Sequence, residues 1–322
     1  MDRKMIIAAA ALWALTAVCA WGSWEYAGEW GEMGLNPGQF MTPYYVAVSA
    51  NGNVYISDAY LKRIQYFTST GSLLGYWGEY GQGPGQFFWL QSIAIGPNGY
   101  IYVVEDQNCR IQYFSLTGQY LGMWGSYGTG NSQFIEPMYV ATAPNGNVYV
   151  SDYGAYEIEY FTPTGSFLGK WGSPGEGPGE FGFLSEIACA PNGNVYVMDG
   201  QYDRIQYFTA TGSYLGMWYA PPGLNVNVAI AISPDGTVFA RMGDGWGFTG
   251  VGYFTPTGSL LGTFGKEGTG PGQFQEFVDL EFNNAGTLLY IPDTWNTRVQ
   301  YFRRNEPKIS PASLGRVKAI FR

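Results

Sequence analysis

Asn51-Gly52-Asn53-Val54-Tyr55-Ile56-Ser57-Asp58, then Arg63-Ile64-Gln65-Tyr66-Phe67, then Thr70-Gly71-Ser72-Leu73-Leu74-Gly75-Tyr76-Trp77-Gly78: this stretch returns along the chain with few changes. Trp30, Trp77, Trp124, Trp171 and Trp218 stand 47 positions apart, and Phe264 follows after 46. A fixed period of this size marks a repeat architecture. Each copy is one supersecondary unit that cannot bury its own apolar face, so neighbouring copies must bury it.

Within a unit the pattern predicts four strands. In the first copy they are Tyr44–Ser49, Asn53–Ser57, Arg63–Phe67 and Ser72–Trp77. Asn-Gly, and once Asp235-Gly236, separates the first two. A tight hairpin needs positive φ there, and these residues supply it. Thr-Gly recurs between the third and fourth strands. Units of this length with four strands read as propeller blades.

The chain ends supply the closure. The sixth copy has Leu280–Phe282, Thr287–Ile291 and Arg298–Phe302 but no fourth strand, while residues 25–30 match the outer strand of the first copy. The expectation is an all-β, six-bladed propeller of four-stranded antiparallel blades over residues 24–302, closed by pairing the N-terminal strand with the last blade. Closure removes the free strand edges that an open array would present.

The composition suits this reading. Aromatics reach 18%, glycine is abundant at 47 residues and charged residues are only 13%, which favours short strands and tight turns. Residues 1–20 differ from the rest. Arg3 and Lys4 precede the apolar run Met5–Val18, and Cys19-Ala20 offers small residues before Trp21. This predicts a signal peptide and an exported protein: periplasmic, cell-surface or extracellular. An uncleaved anchor and lipidation at Cys19 are the alternatives. The run is short for a membrane span of about 20 residues, and Val18 is bulky for a lipidation site. Cys109 and Cys189 fall at different points of the unit and are expected as free thiols.

Charge is unevenly placed. Residues 24–302 carry 8 basic and 23 acidic side chains, and residues 303–322 carry 6 basic and one acidic. An acidic body repels phosphate backbones and argues against nucleic acid as partner. The tail reads as a linker followed by a short amphipathic helix from Ser313. Its possible roles are a frayed end or a tag that docks to a surface or sorting partner.

The repeated motifs, including Gly81-Gln82-Gly83-Pro84-Gly85-Gln86-Phe87, together resemble the NHL repeat over nearly the whole chain. The resemblance implies a six-bladed propeller. It does not imply one chemistry, because NHL-type propellers include protein-binding and RNA-binding modules and a few metal-dependent lyases.

A residue present in every blade most simply maintains every blade. Asp58, Asp106, Asp152, Asp199 and Asp293 are read as ending the second strand, where they accept loop N–H groups and face Arg63, Arg110, Arg204 or Arg298. Function is sought where the copies disagree. Glu186, Asp279 and Glu281 replace neutral residues on the innermost strands and are expected near the channel mouth. They would bind solvent or, as oxygen ligands, Ca²⁺. The fifth copy has a loop shortened by four residues between Trp218 and Ile230, and Met242 in place of the strand-end Asp. Tyr60, Tyr153, Tyr156, Tyr202, Trp246 and Trp295 decorate loops on one face and suit glycan or peptide contacts.

No catalytic constellation is found. The chain contains no His, which removes the common nucleophile–His and zinc–His arrangements. The leading expectation is a monomeric, non-enzymatic binding module for a protein, peptide or glycan that requires no cofactor. The alternatives are a carboxylate-centred, Ca²⁺-dependent hydrolase or lactonase, and a structural cell-surface component.

Overall fold

The computed structural model describes residues 23–243 and 248–305, with only the backbone at 248 and 249. The signal-peptide run, Trp246 and most of the basic tail lie outside the described residues. Six four-stranded sheets form, each a meander from an inner to an outer strand. Blade 1 comprises Pro43–Val48, Val54–Asp58, Arg63–Phe67 and Leu73–Trp77, within two residues of the expected bounds. The inner strands of blades 2 to 6 are Leu90–Ile95, Pro137–Thr142, Leu184–Cys189, Asn225–Ile232 and Glu281–Phe282.

The last blade closes as expected. Trp24–Trp30 pairs antiparallel with Arg298–Arg304, from Trp24↔Arg304 to Trp30↔Val299. The pairing reaches two residues beyond Phe302, so Arg303 and Arg304 belong to the last blade and not to the tail. Trp24 explains the extension. It is buried against Phe239 and Phe282, with ring centroids at 5.5 Å in both cases, and it carries the strand pairing outward with it. Arg304 then reaches Asp235 of blade 5 at 2.7 Å.

One contact recurs at the blade boundaries. The outer-strand Trp lies beneath the Thr-Gly turn of the next blade: Trp30 under Gly71, Trp77 under Gly118, Trp124 under Gly165, Trp171 under Gly212 and Trp218 under Gly258. A Cβ on any of these glycines would sit within 2.3–2.6 Å of the indole, and each has φ between 84° and 93°. Space and backbone thus both demand glycine there. Beside each wedge, a second-strand Tyr donates its hydroxyl to a carbonyl of the same turn. These bonds run from Tyr55 to Leu116, Tyr102 to Pro163, Tyr149 to Ala210, Tyr196 to Pro256 and Tyr290 to Ser69, at 2.8–3.4 Å. The last of them crosses the closure.

Deleting residues 24–30 should leave Arg298–Arg304 as a free edge and shift the chain to larger assemblies than the undeleted chain forms on size exclusion. Trp24→Ala should cost about 3–5 kcal/mol of stability by chemical denaturation, and Tyr290→Phe only about 1 kcal/mol. A fully stable deletion variant with no such shift would mean that the ring does not depend on this strand.

Candidate functional site

The repeated acids pin the loops that lead into the inner strands. Asp58 accepts the N–H groups of Met41 and Thr42, Asp152 those of Ile135 and Glu136, Asp199 those of Gly182 and Phe183, and Asp293 that of Gln275. Asp106 does not belong to this set. In blade 2 the strand ends at Glu105, which pairs with Arg110 at 2.6 Å and accepts the N–H of Phe88. Asp106 is the next residue, in the loop. The longer Glu reaches the same partners from the same register position, and a reading that looked only for Asp slipped by one.

Arg204 and Arg298 face Asp199 and Asp293 at 3.0 and 2.9 Å. Arg63 does not face Asp58. Its guanidinium donates instead to the carbonyls of Leu35, Asn36 and Gln39. This carbonyl clamp is the more general role. The Gln two residues on completes it: Gln65 accepts the N–H of Gly38 and donates to the carbonyl of Gln39. Blade 3 carries Glu157 and Glu159 at these positions, and Lys170 from the outer strand compensates. Its ammonium lies 2.6 Å from Glu157 and 3.3 Å from the Thr129 carbonyl, the counterpart of the Leu35 carbonyl.

Glu186, Asp279 and Glu281 all line the central channel, around a cavity of about 120 Å³. Their oxygens are already engaged. Asp279 accepts the N–H of Val46 at 2.7 Å, and Glu186 that of Ile230 at 2.6 Å. In both cases the N–H belongs to the inner strand of the next blade. Ser92 does the same for Val140 at 3.3 Å. Bulges in the inner strands free these amides from the ladder, and alternate blades supply the acceptor. Glu186 and Asp279 also act on each other: the neighbouring Asp279 raises Glu186, and Glu186 holds Asp279 down. Burial, and then the charge of Asp279, pushes Glu186 well above the carboxylate range. Burial first raises Asp279 to about 6, and burial followed by the Asp279 charge raises Glu281 to about 8. Among the described residues no group of three or more Asp, Glu, Cys or His side chains is arranged to hold a metal ion.

The aromatic residues share the face where the loops after the second strand meet the loops entering the inner strands. Tyr60 and Trp295 are exposed at 64% and 67%, whereas Tyr153, Tyr156 and Tyr202 are half-buried. Tyr202 lies against Arg204, with 4.9 Å between the guanidinium and the ring centroid, and so helps to cover the clamp. The structure adds residues that sequence reasoning missed. Phe183 packs on Tyr153 with centroids 4.9 Å apart, and Lys62 lies 4.7 Å over the ring of Trp89. Both rings are two residues after the repeated Phe181 and Phe87, and their departure from Thr42, Glu136 and Glu276 at the same position was the available signal.

Blade 5 is remodelled as a unit. It has lost the entering loop, and it has also lost the clamp that would hold that loop: Gly250 and Gly252 stand in register where other blades have Arg and Gln. Met242, in place of the strand-end acid, fills the room, since a Cβ on Gly252 would meet its sulfur. An ionic clamp has become an apolar plug. Next to it, Phe183, Gly200, Gln201, Asn227 and Val228 line an open cleft of about 470 Å³. Cys109 and Cys189 are free thiols in blades 2 and 4.

Comparison with known proteins agrees on the architecture. A family model described as DUF5128, 6-bladed beta-propeller, matches residues 42–124. No curated protein matches significantly. Among solved structures, a gluconolactonase from Xanthomonas campestris superposes with a TM-score of 0.62 at 16% identity, covering 84% of this chain and 88% of its own. An inactive virginiamycin B lyase from Staphylococcus aureus with quinupristin gives 0.58 at 16% identity, covering 89% and 90%. A streptogramin B lyase gives 0.59 at 16%, covering 89% and 99%. At these identities the likeness establishes the six-bladed propeller fold and nothing finer.

The raised carboxyl groups predict a pH dependence of stability. Their folded pKa values lie above the ordinary carboxylate values of about 4. The folded chain therefore binds protons more tightly than the unfolded one. This contribution to stability is fully present below about pH 4 and is lost as pH rises through about 6 for Asp279 and about 8 for Glu281. The melting temperature should fall between pH 5 and pH 9, and Glu281→Gln should flatten the upper part of that fall. A melting temperature that is flat or rising over the interval, read by circular dichroism, would contradict the raised affinity of these buried carboxyl groups for protons.

Proposed function

We propose that the chain is an exported, non-catalytic binding module of NHL type, whose ligand is a protein, peptide or glycan held on the aromatic-loop face. The observation that carries this reading is the concentration of exposed rings there: Tyr60, Trp89, Phe183 and Trp295, exposed at 41–67%. Each comes from a different blade, and none replaces a residue that the repeat needs for packing. Aromatic anchors on a rigid scaffold suit recognition, because ordering them costs little conformational entropy. The acidic body supports a partner other than nucleic acid.

A second reading rests on the likeness to a gluconolactonase together with the channel carboxylates: a Ca²⁺-dependent hydrolase or lactonase centred on Glu186, Asp279 and Glu281. What weighs against it is that two of the carboxyl groups already cap backbone amides, and that burial favours their protonated forms. Ca²⁺ would have to displace those protons and supply its own ligand geometry of about 6–8 oxygens.

Two measurements separate the readings. The purified chain should bind members of immobilised glycan or peptide arrays, and the combined Tyr60→Ser, Trp89→Ser, Phe183→Ser and Trp295→Ser variant should lose that binding while keeping its melting temperature. Ca²⁺ at millimolar concentration should leave the melting temperature unchanged. A rise of several degrees that EDTA reverses, together with lactone hydrolysis lost in Glu281→Gln, would instead support the hydrolase.

A further inference from the structure

Backbone strain singles out one place in the ring. Among the described residues, seven non-glycine residues have positive φ. Lys62, Cys109, Tyr156, Asp203 and Thr297 occupy one repeated loop position, and Ser132 stands where other blades place Gly38, Gly85, Gly179 and Gly272. Those six are properties of the repeat. Val228, at φ 62°, has no counterpart. A β-branched residue in this region is a genuine outlier, and such strain persists only where the surroundings impose it.

The cause is a wider bulge. In blade 4, residues 185 and 186 lie between the pairs Leu184↔Asp199 and Ile187↔Val197. In blade 5, residues 227, 228 and 229 lie between Val226↔Met242 and Ile230↔Ala240. The extra residue pushes Asn227 and Val228 into the cleft beside Phe183, Gly200 and Gln201. Asn225 and Asn227 each bury a side-chain carbonyl oxygen that meets no donor. A buried acceptor without a partner is costly to the fold.

Gly200 adds a third sign. Its φ is not positive, so its backbone does not require glycine. At the same point of the loop stand Ala59, Tyr153 and Thr294. A Cβ on Gly200 would lie 3.2 Å from Ser185 Oγ and 3.3 Å from the Phe183 ring. The missing side chain bares the Phe183 ring to the cleft, and the ring is 41% exposed.

The strained Val228, the unpaired acceptor of Asn227 and a bared ring thus coincide at one cleft of about 470 Å³, within the range of about 300–1,000 Å³ usual for small-ligand sites. We propose that this cleft binds a neutral saccharide, with Phe183 as the stacking platform and the amides of Asn227 and Gln201 bonding to its hydroxyls. The proposal rests on the reading that the aromatic face binds ligands, and it names the ligand class. Among the described residues no lining side chain is charged, which favours a neutral ligand. Amides both donate and accept, which matches hydroxyls that do the same. A flat exposed ring suits the apolar face of a pyranose.

The test is saturation-transfer NMR followed by calorimetry, using the whole chain and soluble cellotetraose, maltotetraose, mannotriose and chitotetraose. At least one should bind. Phe183→Ala and Gly200→Thr should each weaken that binding about tenfold or more, with the fold intact by circular dichroism. Tyr127→Ser, at an exposed ring outside the cleft, should leave it unchanged. Asn227→Leu and Val228→Gly should raise the melting temperature while weakening binding, the signature of stability given up for a site.

Absence of transfer from all four sugars overturns the saccharide proposal. So does a peptide-array ligand whose binding is lost in Phe183→Ala, although the aromatic-face reading would then survive. Saccharide binding that is indifferent to Phe183 and Gly200 but lost in Trp295→Ser would move the site elsewhere on that face. Loss in none of these variants would sink both readings.

Discussion

The ring depends on a tryptophan beneath a glycine. At the boundaries formed by Trp30, Trp77, Trp124, Trp171 and Trp218, the outer-strand indole of one blade fills the space under the Thr-Gly turn of the next. The neighbouring Tyr hydroxyl binds a carbonyl of that turn and sets its height. The wedge is apolar and close-packed, so its energy comes from burial and dispersion, whereas the hydroxyl contributes direction. Five such steps carry the ring round, and at the sixth boundary Trp24 packs on Phe264 instead. Blade 5 carries Phe239 where its neighbours carry the tyrosine, and there Trp24 of the last blade supplies the packing.

The inner and outer parts of each blade are held by different physics. Outside, aromatic rings interlock. Inside, a bulge in the inner strand exposes an amide to the channel, and the adjacent blade caps it. Ser92, Glu186 and Asp279 carry out the same task with increasing charge. A hydroxyl would have sufficed at each site. Carboxyl groups make the channel dependent on protons, because burial favours their protonated forms. Two of the three thus have a role in holding the ring together that requires no ligand.

On the aromatic-loop face most of the loops are over-determined. The strand-end acid, the Arg and the Gln together fasten the entering loop in blades 1, 2, 4 and 6, and in blade 3 Lys170 and two glutamates reach a similar end by reversing the charges. Blade 5 alone abandons the arrangement. Its loop and its clamp are lost together, and Met242 seals what remains. Coordinated loss of this sort leaves the adjoining inner strand free to bulge by an extra residue, which is how Asn227 and Val228 come to line the cleft.

Periodicity, hairpin turns and the divided last blade are local or strictly repeating signals, so the blade count, the strand order and the closure were legible in the sequence. The contact of the repeated acids with loop N–H groups was legible too, except where Glu105 took the place expected of Asp106, because charge and reach are equivalent there; the turning of Arg63 from Asp58 to loop carbonyls was not legible. The aromatic loops could be assigned to one face, but which rings are bared could not. Phe183 becomes a platform only because Gly200, on a different loop, has no side chain to cover it. The gathering of Glu186, Asp279 and Glu281 at the channel was legible from their places in the repeat, but the backbone amides of Ile230 and Val46 that two of them cap were not. Sequence alone determined the repeat and therefore the fold. Tertiary structure decided which amides the channel carboxyl groups cap, the strain at Val228 and the cleft beside it, because each arises from contacts that no single repeat contains.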